Sequence, residues 1–158
     1  MCSSDLLCLC DAFNLSMIWL MDVPGFMVGR KVEHERMLFK AIRMVEALGN
    51  LSTPTLSVVI RKGFGLAFQA MNTAAMGATG FYSWPGAEIG FMDPDVGVNV
   101  AYANRLNELE DDEREAERQR LIGEISDATS PYEAAGTMRI DEVIDPAETR
   151  QEIGRAHV

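Results

Sequence analysis

Residues 61–77, RKGFGLAFQAMNTAAMG, are the stretch whose residue types and spacing best fit a chemical role. A β-branched strand precedes them at residues 55–60, and Gly63 and Gly65 then supply the backbone freedom for a sharp reversal into a helix. N–H groups in the first turn of a helix lack intrahelical partners, and a buried helix start aims them at a developing negative oxygen. The stretch predicts an oxyanion hole, and the alternative is an ordinary strand-to-helix turn of an α/β core.

The helix after this turn is predicted to begin near Gly65 or Leu66 and to lie inside the protein. Apolar side chains surround nearly its whole circumference, which is typical of a buried helix. They are Leu66, Ala67, Phe68, Ala70, Met71, Ala74, Ala75 and Met76.

The elements before this stretch predict a parallel sheet. Residues 15–21, LSMIWLM, are apolar nearly throughout, as in a strand covered on both faces. The loop that follows, residues 22–30, is broken by Pro24 and Gly25, and such loops gather at the carboxyl ends of strands, where ligands bind. Residues 31–48 have helical spacing and form the predicted crossover helix. The order is therefore βαβ, which implies right-handed crossovers.

The second half of the chain predicts shorter elements. We expect strands at residues 79–84 and 88–92, and a helix at 93–109 with Val96, Val100, Ala103 and Leu106 on its inner face. The charged run at residues 108–120 predicts a solvated helix, or alternatively a helix that contacts a partner. A short helix from Ser130, an extended segment at 140–144 and a helix start at Pro146 complete the prediction.

Composition excludes several classes of protein. The chain has 158 residues, 47% of them hydrophobic, enough for one domain or part of a larger one. Fourteen basic against 24 acidic residues give a net charge of −10, which disfavours nucleic-acid binding. No apolar run reaches the roughly 18 residues of a membrane span. Cys2, Cys8 and Cys10 have neither zinc-ligand spacing nor partners for a disulfide framework, so we expect free thiols in a reducing cytoplasm.

Both ends of the chain look foreign to the rest. Residues 1–6 (MCSSDL) and 153–158 (IGRAHV) resemble translated sequencing-adapter sequence, so we expect them to be non-native extensions. Residues 7–152 are then the informative part, and the pattern there is that of a fragment of a longer gene.

Four ordered motifs together resemble one family. They are MDVPGFMVGR at residues 21–30, RKGFGLAFQAM at 61–71, SWPGAEIGFM at 83–92 and IDEVIDPAETR at 140–150. They are similar to the carboxyl-terminal half of the carboxyltransferase (beta) subunit of biotin-dependent acyl-CoA carboxylases of the acetyl-/propionyl-CoA type. The similarity extends over nearly all of residues 7–152.

The resemblance implies an α/β, crotonase-like fold of repeated ββα units, present here as a partial domain. In the family, carboxyl passes from N-carboxybiotin on a carrier protein to the α-carbon of an acyl-CoA. The site forms between this half and the amino-terminal half of another subunit in a homo-oligomer, so an isolated half is expected to be inactive.

The resemblance also implies roles for particular residues. The backbone N–H groups of Leu66 and Ala67 would form an oxyanion hole for the biotin ureido group. The residues expected to line the biotin side are Gly25, Phe26, Gly63, Phe64, Gly65 and Gln69. No metal is implied in this half, and a set of catalytic acids, bases or nucleophiles is not required.

The chain departs from the family pattern at three positions. Leu66 stands where a small residue is common, Gln69 where propionyl-type members carry an acid, and Asp93 where glycine is usual. A decarboxylase therefore stays open, as does a crotonase-like hydratase, isomerase or hydrolase with Glu88 or Glu46 as base. A third alternative is an inactive interaction fragment that binds through residues 108–120.

Overall fold

The computed structural model describes residues 3–155, which fold into a parallel sheet with helices packed around it. In chain order the elements are α1 (Ser3–Ala12), β1 (Met17–Val23), α2 (Arg30–His34), α3 (Met37–Gly49), β2 (Thr55–Phe64), α4 (Gly65–Gln69), a 3₁₀ helix (Ala74–Met76), β3 (Gly80–Ser83), β4 (Glu88–Gly90), α5 (Pro94–Ala101), α6 (Ala103–Asn107), α7 (Asp111–Asp127), α8 (Pro131–Gly136), β5 (Glu142–Val143), a second 3₁₀ helix (Pro146–Glu148) and α9 (Thr149–Arg155). None of the described helices is long and apolar enough to span a bilayer.

The sheet has the strand order β1-β2-β3-β5, with β4 as an additional partner of β2. All described pairings are parallel, which confirms the predicted parallel sheet. β3 pairs with the first half of β2, and β4 pairs with its last three residues, Lys62, Gly63 and Phe64. The carboxyl ends of β1, β2 and β4 therefore meet at one edge of the sheet.

The main core lies between the sheet and the helices α4 and α8. The rings of Phe68 and Phe81 pack at its centre with their centroids 5.9 Å apart. A second, smaller core joins α5, α6 and α7 through Val98, Leu106 and Leu121. Burying each such side chain stabilises the fold by about 1.5–3 kcal/mol. The other buried members of the main core are Met21, Val59, Ala87, Ile89, Ala134 and Ile140.

The prediction that β1 is covered on both faces is wrong for this chain. Met21 is fully buried, but Ile18 and Leu20 are 45% and 59% exposed. The reason is position: β1 is an edge strand, and the described chain covers only one of its faces.

The predicted crossover helix is two helices. α2 ends at His34 and α3 begins at Met37, because Arg36 takes a left-handed conformation with φ 58° that a continuous helix cannot contain. His34 is exposed, as expected for a surface histidine.

The predicted long buried helix after Gly65 is also divided. α4 ends at Gln69, because Asn72 takes a left-handed φ of 64°. Its buried side chain donates to Ser57 Oγ (2.9 Å) and accepts from Thr55 Oγ1 (3.2 Å), which ties this turn to β2. Leu66 is 63% exposed, so the prediction that apolar residues here are all buried is wrong.

The second half agrees better with the sequence. Strands β3 and β4, the Ser130 cap of α8 and the helix start at Pro146 are confirmed. The predicted helix at 93–109 is divided at Tyr102. Leu106 of its predicted inner face is buried, as expected, but Val96 and Val100 are 50% and 67% exposed, and Val98 is buried instead.

The predicted terminal extensions lie partly in regular elements. Residues 3–6 belong to α1, and residues 153–155 end α9. Cys8 and Cys10 are free thiols, whereas Cys2 and residues 156–158 lie outside the described residues.

Candidate functional site

The junction of β2 and α4 is the centre of the candidate site. The helix begins at Gly65, as predicted, with φ 65°, a conformation that L-residues with side chains rarely adopt. The prediction that Gly63 also forms the turn is wrong, because Gly63 lies within β2 and pairs with Val23 and Ile89. Gly63 is required for space instead: a β-carbon there would lie 2.9 Å from the ring of Phe68.

The N–H groups of Leu66 and Ala67 lie in the first turn of α4. Within residues 3–155 neither N–H donates a hydrogen bond to a turn, cap or side-chain acceptor, and helical geometry gives them no intrahelical acceptor. The turn closes behind them, because Ala70 N donates to Leu66 O at 3.0 Å. These two adjacent backbone donors therefore have no acceptor among residues 3–155.

The predicted shielding of these donors is not provided by this chain alone. Ala67 is buried, but the side chain of Leu66 is 63% exposed. A cavity of about 270 Å³ lies beside α4, lined by Phe68, Gln69 and Arg139 among others, and neither Leu66 nor Ala67 lines it. An enclosed site at these amides needs a further surface.

The loop after β1 begins beside this junction, because Val23 pairs with Gly63. Gly25 is exposed with φ 142°, and Phe26 is half-buried. The structure thus brings Gly25 and Phe26 to the same sheet edge as the β2–α4 junction, which agrees with the general position of ligand sites in parallel sheets.

Phe64 and Gln69 have different surroundings. The ring of Phe64 is fully buried against Gly90, so only its backbone can face a ligand. Gln69 is exposed, and its Oε1 accepts from Thr73 Oγ1 at 3.4 Å. Its amide lies at the mouth of the 270 Å³ cavity, together with Arg139.

Two ion pairs at this edge were not predicted from the sequence. Arg61 Nε donates to both carboxylate oxygens of Asp22, at 3.2 and 3.0 Å, and Lys62 Nζ donates to Asp93 Oδ2 at 2.6 Å. The hydrogen bond from Arg61 lowers the pKa of Asp22, and the hydrogen bond to Asp93 raises the pKa of Lys62.

Two sequence signals mark the members of the second pair separately, but neither places Lys62 beside Asp93. The period of a strand places Lys62 and Phe64 on the same face. Asp93 followed by Pro94 is a helix N-cap followed by a proline at the first helical position, and Asp93 Oδ1 does accept from Asp95 N at 3.2 Å.

The residues named for the alternative functions lie in three different places. Glu88 is opposite Lys62 in the ladder, whereas Glu46 is exposed on α3 and lines a separate cavity against α1. In α7, Glu117 pairs with Arg105 and Arg120 of the same chain. Among residues 3–155, no group of three or more His, Cys, Asp or Glu side chains could hold a metal ion.

Comparison with known proteins gives one consistent result. Residues 4–158 match the model of the carboxyl transferase domain family. The chain is 36% identical over 148 residues to the methylmalonyl-CoA carboxyltransferase 12S subunit of Propionibacterium freudenreichii subsp. shermanii, covering 93% of this chain and 28% of that protein. It is 34% identical to the propionyl-CoA carboxylase carboxyltransferase subunit of Haloferax mediterranei, covering 91% of this chain and 28% of that protein.

A solved structure shows the same fold. The transcarboxylase 12S crystal structure, a hexamer with methylmalonyl-coenzyme A and methylmalonic acid bound, superposes with a TM-score of 0.88 at 34% identity. It covers 97% of this chain and 29% of the solved chain. The predicted crotonase-like fold is thereby confirmed, as a partial domain. The chain spans less than a third of the length of the relatives that it matches.

Proposed function

The chain belongs to the carboxyl transferase domain family, and from this premise we propose that it forms the biotin side of a carboxyltransferase active site. The whole subunit would move carboxyl from N-carboxybiotin to the α-carbon of an acyl-CoA, as a component of a biotin-dependent acyl-CoA carboxylase. This segment would be the carboxyl-terminal half of that subunit.

The observation that carries the proposal is the pair of amides at Leu66 and Ala67, for which the described residues 3–155 supply no acceptor. Backbone donors that are fixed before reaction stabilise a developing oxyanion without reorganisation. These two N–H groups would donate to the ureido oxygen of biotin, while the loop at Gly25 and Phe26 would position the ring beside them. Biotin, held on a separate carrier protein, supplies the carboxyl group.

The surface around these amides supports a site shared with another subunit. Leu66 carries one of these donors and is 63% exposed, and Phe91, whose carbonyl oxygen lies beside Gly65, is 86% exposed. Exposed apolar side chains thus lie next to donors that would need a water-poor space to be effective. We propose that the amino-terminal half of a second subunit covers this surface in a homo-oligomer and brings the acyl-CoA. The isolated chain should then have no transferase activity.

We propose a cytoplasmic location for the enzyme. Free Cys8 and Cys10 support this proposal, because free thiols are typical of a reducing compartment.

The test uses the full-length subunit that contains this segment. Transfer of labelled carboxyl to acetyl-CoA and propionyl-CoA is measured with a carboxylated biotin carrier, and with a matched carrier whose biotinylated lysine is replaced by arginine. Both acyl-CoA substrates are needed because Leu66 and Gln69 depart from the family pattern. We expect labelled product only with the biotinylated carrier. Equal turnover of acyl-CoA with both carriers would instead identify a hydrolase, and activity of the isolated 158-residue chain would refute the shared site.

A further inference from the structure

Asp93 makes two contacts that link separate elements. Its Oδ1 accepts from Asp95 N and caps α5, and its Oδ2 accepts from Lys62 Nζ of β2 at 2.6 Å. The side chains of Lys62 and Asp93 are only 30% and 18% exposed, so solvent screens this ion pair less than an ordinary surface pair. One carboxylate therefore links the start of α5 to the last residues of β2, the strand that leads into α4.

The connection between β4 and α5 passes directly against the start of α4. It consists of residues 91–93, and it leaves a strand that pairs with Lys62, Gly63 and Phe64. The carbonyl oxygen of Phe91 lies 3.1 Å from the position of a β-carbon at residue 65. The 91–93 connection thus packs against Gly65, the residue whose conformation directs the amides of Leu66 and Ala67.

Lys62 is itself held from three sides. Its backbone N–H donates to Asp22 Oδ1 at 3.3 Å, and its ammonium lies 5.8 Å from the centroid of the fully buried Phe64 ring. Its pKa is raised by the hydrogen bond to Asp93, so it is charged at neutral pH. The lysine is an anchored support for Asp93 and not a free surface cation.

We propose that Lys62 and Asp93 are positioning residues for the oxyanion hole. Their ion pair holds the 91–93 connection against Gly65, and this fixes the direction of the Leu66 and Ala67 N–H groups. Neither side chain contacts the substrate in this role. The expected effect of the ion pair on kcat rests on the proposed function. Its expected effect on the backbone at residues 63–69 does not, because hydrogen–deuterium exchange measures that effect separately.

The variants Lys62→Met, Asp93→Asn and the double variant test the pair in the full-length subunit. Asparagine still caps a helix, and methionine keeps most of the lysine stem, so each variant removes chiefly the ion pair. Asp95→Asn is the matched control: it removes a carboxylate two residues away that pairs with Arg118 on α7 instead. Lys62→Arg, which keeps the charge, should retain a larger part of the rate.

We expect each single variant to lower kcat by about 10- to 100-fold, because small misplacements of catalytic donors have effects of this size. KM for the biotin carrier should change little, and the double variant should be no slower than the slower single variant. The inference would be overturned if the fold-losses in kcat of the two single variants multiplied in the double variant. It would also be overturned if Lys62→Met lowered kcat and Asp93→Asn did not. In either case the two residues would act separately.

Hydrogen–deuterium exchange across residues 63–69 gives the second readout. Exchange should be faster in Lys62→Met and Asp93→Asn than in the wild type or Asp95→Asn. Unchanged exchange in both variants overturns the positioning role. If the wild-type subunit transfers no carboxyl while the two variants still exchange faster than it does, that result supports the positioning role and refutes the proposed function.

Discussion

The backbone of Gly65 and the carbonyl oxygen of Phe91 are in contact: a β-carbon on residue 65 would lie 3.1 Å from that oxygen. Gly65 also has φ 65°, in the left-handed region. Two independent constraints therefore act on the residue that directs the Leu66 and Ala67 amides.

Gly65→Ala should destabilise the protein and reduce carboxyl transfer. The left-handed conformation costs a residue with a β-carbon about 1–2 kcal/mol, and the contact with Phe91 adds to this cost. Gly65→Val should have the larger effect. Urea unfolding and the transfer rate of the full-length subunit measure the two effects. Gly123→Ala is the control: it lies within α7 with no atom within 4 Å of the added β-carbon, so it should stabilise slightly. Wild-type turnover in Gly65→Val would argue against this turn as the oxyanion hole.

Gly63→Ala should destabilise by about 1–3 kcal/mol through overpacking. Its β-carbon would lie 2.9 Å from two atoms of the Phe68 ring, which is buried against Phe81. Phe68→Leu removes the obstructing ring, so the double variant should be more stable than the sum of the two single effects predicts. If the changes in unfolding free energy of Gly63→Ala and Phe68→Leu simply add in the double variant, contact with the Phe68 ring is not the reason for glycine at position 63.

Asp22→Asn should make stability less dependent on pH in the acid range. Arg61 holds the pKa of Asp22 below its usual value of 3.8 in the folded protein. A lowered folded-state pKa gives stability that is present above the unfolded value and is lost as pH falls through the folded value. The difference in unfolding free energy between wild type and Asp22→Asn should therefore be largest above pH 3.8 and narrow below it. Arg61→Gln should show the same narrowing, and a constant difference would contradict the pair.

Leu121→Ala should destabilise the protein, because Leu121 packs α7 into the smaller core that it shares with α5 and α6. Leu121 is 3% exposed and packs against Val98 and Leu106. Truncation of a buried leucine costs about 2–5 kcal/mol, whereas the exposed Gln119→Ala should stay near zero. An unchanged unfolding free energy in Leu121→Ala would contradict the packing of α7 on Val98 and Leu106.

The sequence predicted those parts of the fold that depend on local signals. The Gly65 helix start, the Ser130 cap and the parallel pairing of the strands all follow from residue types and periodicity. It failed where distant contacts decide: Asn72 ends α4 because it reaches Ser57 and Thr55 on β2. The exposure of Leu20 also depends on which part of the protein covers β1, and no pattern within the strand contains that information.

The candidate site shows the same division. The positions of Gly25, Phe26 and the β2–α4 junction follow from the rule that loops meet at the carboxyl ends of parallel strands. The Lys62–Asp93 pair joins residues 31 positions apart, so it became visible only when the register of β4 against β2 placed them together.

The most direct test of the central claim removes one backbone donor and leaves its side chain unchanged. Replacing Ala67 by lactic acid substitutes an ester for the amide. This deletes the N–H group and also weakens Leu66 O as the acceptor of Ala70 N, an effect that the Ala103 control reproduces because Tyr102 O accepts from Leu106 N. The same replacement at Ala103, also in the first turn of a helix, is the matched control. We predict that the Ala67 ester lowers the rate of carboxyl transfer by the full-length subunit by about 10²- to 10³-fold, and that the Ala103 ester leaves it near the wild-type rate. Equal rates for the two esters would contradict an oxyanion hole at Leu66 and Ala67.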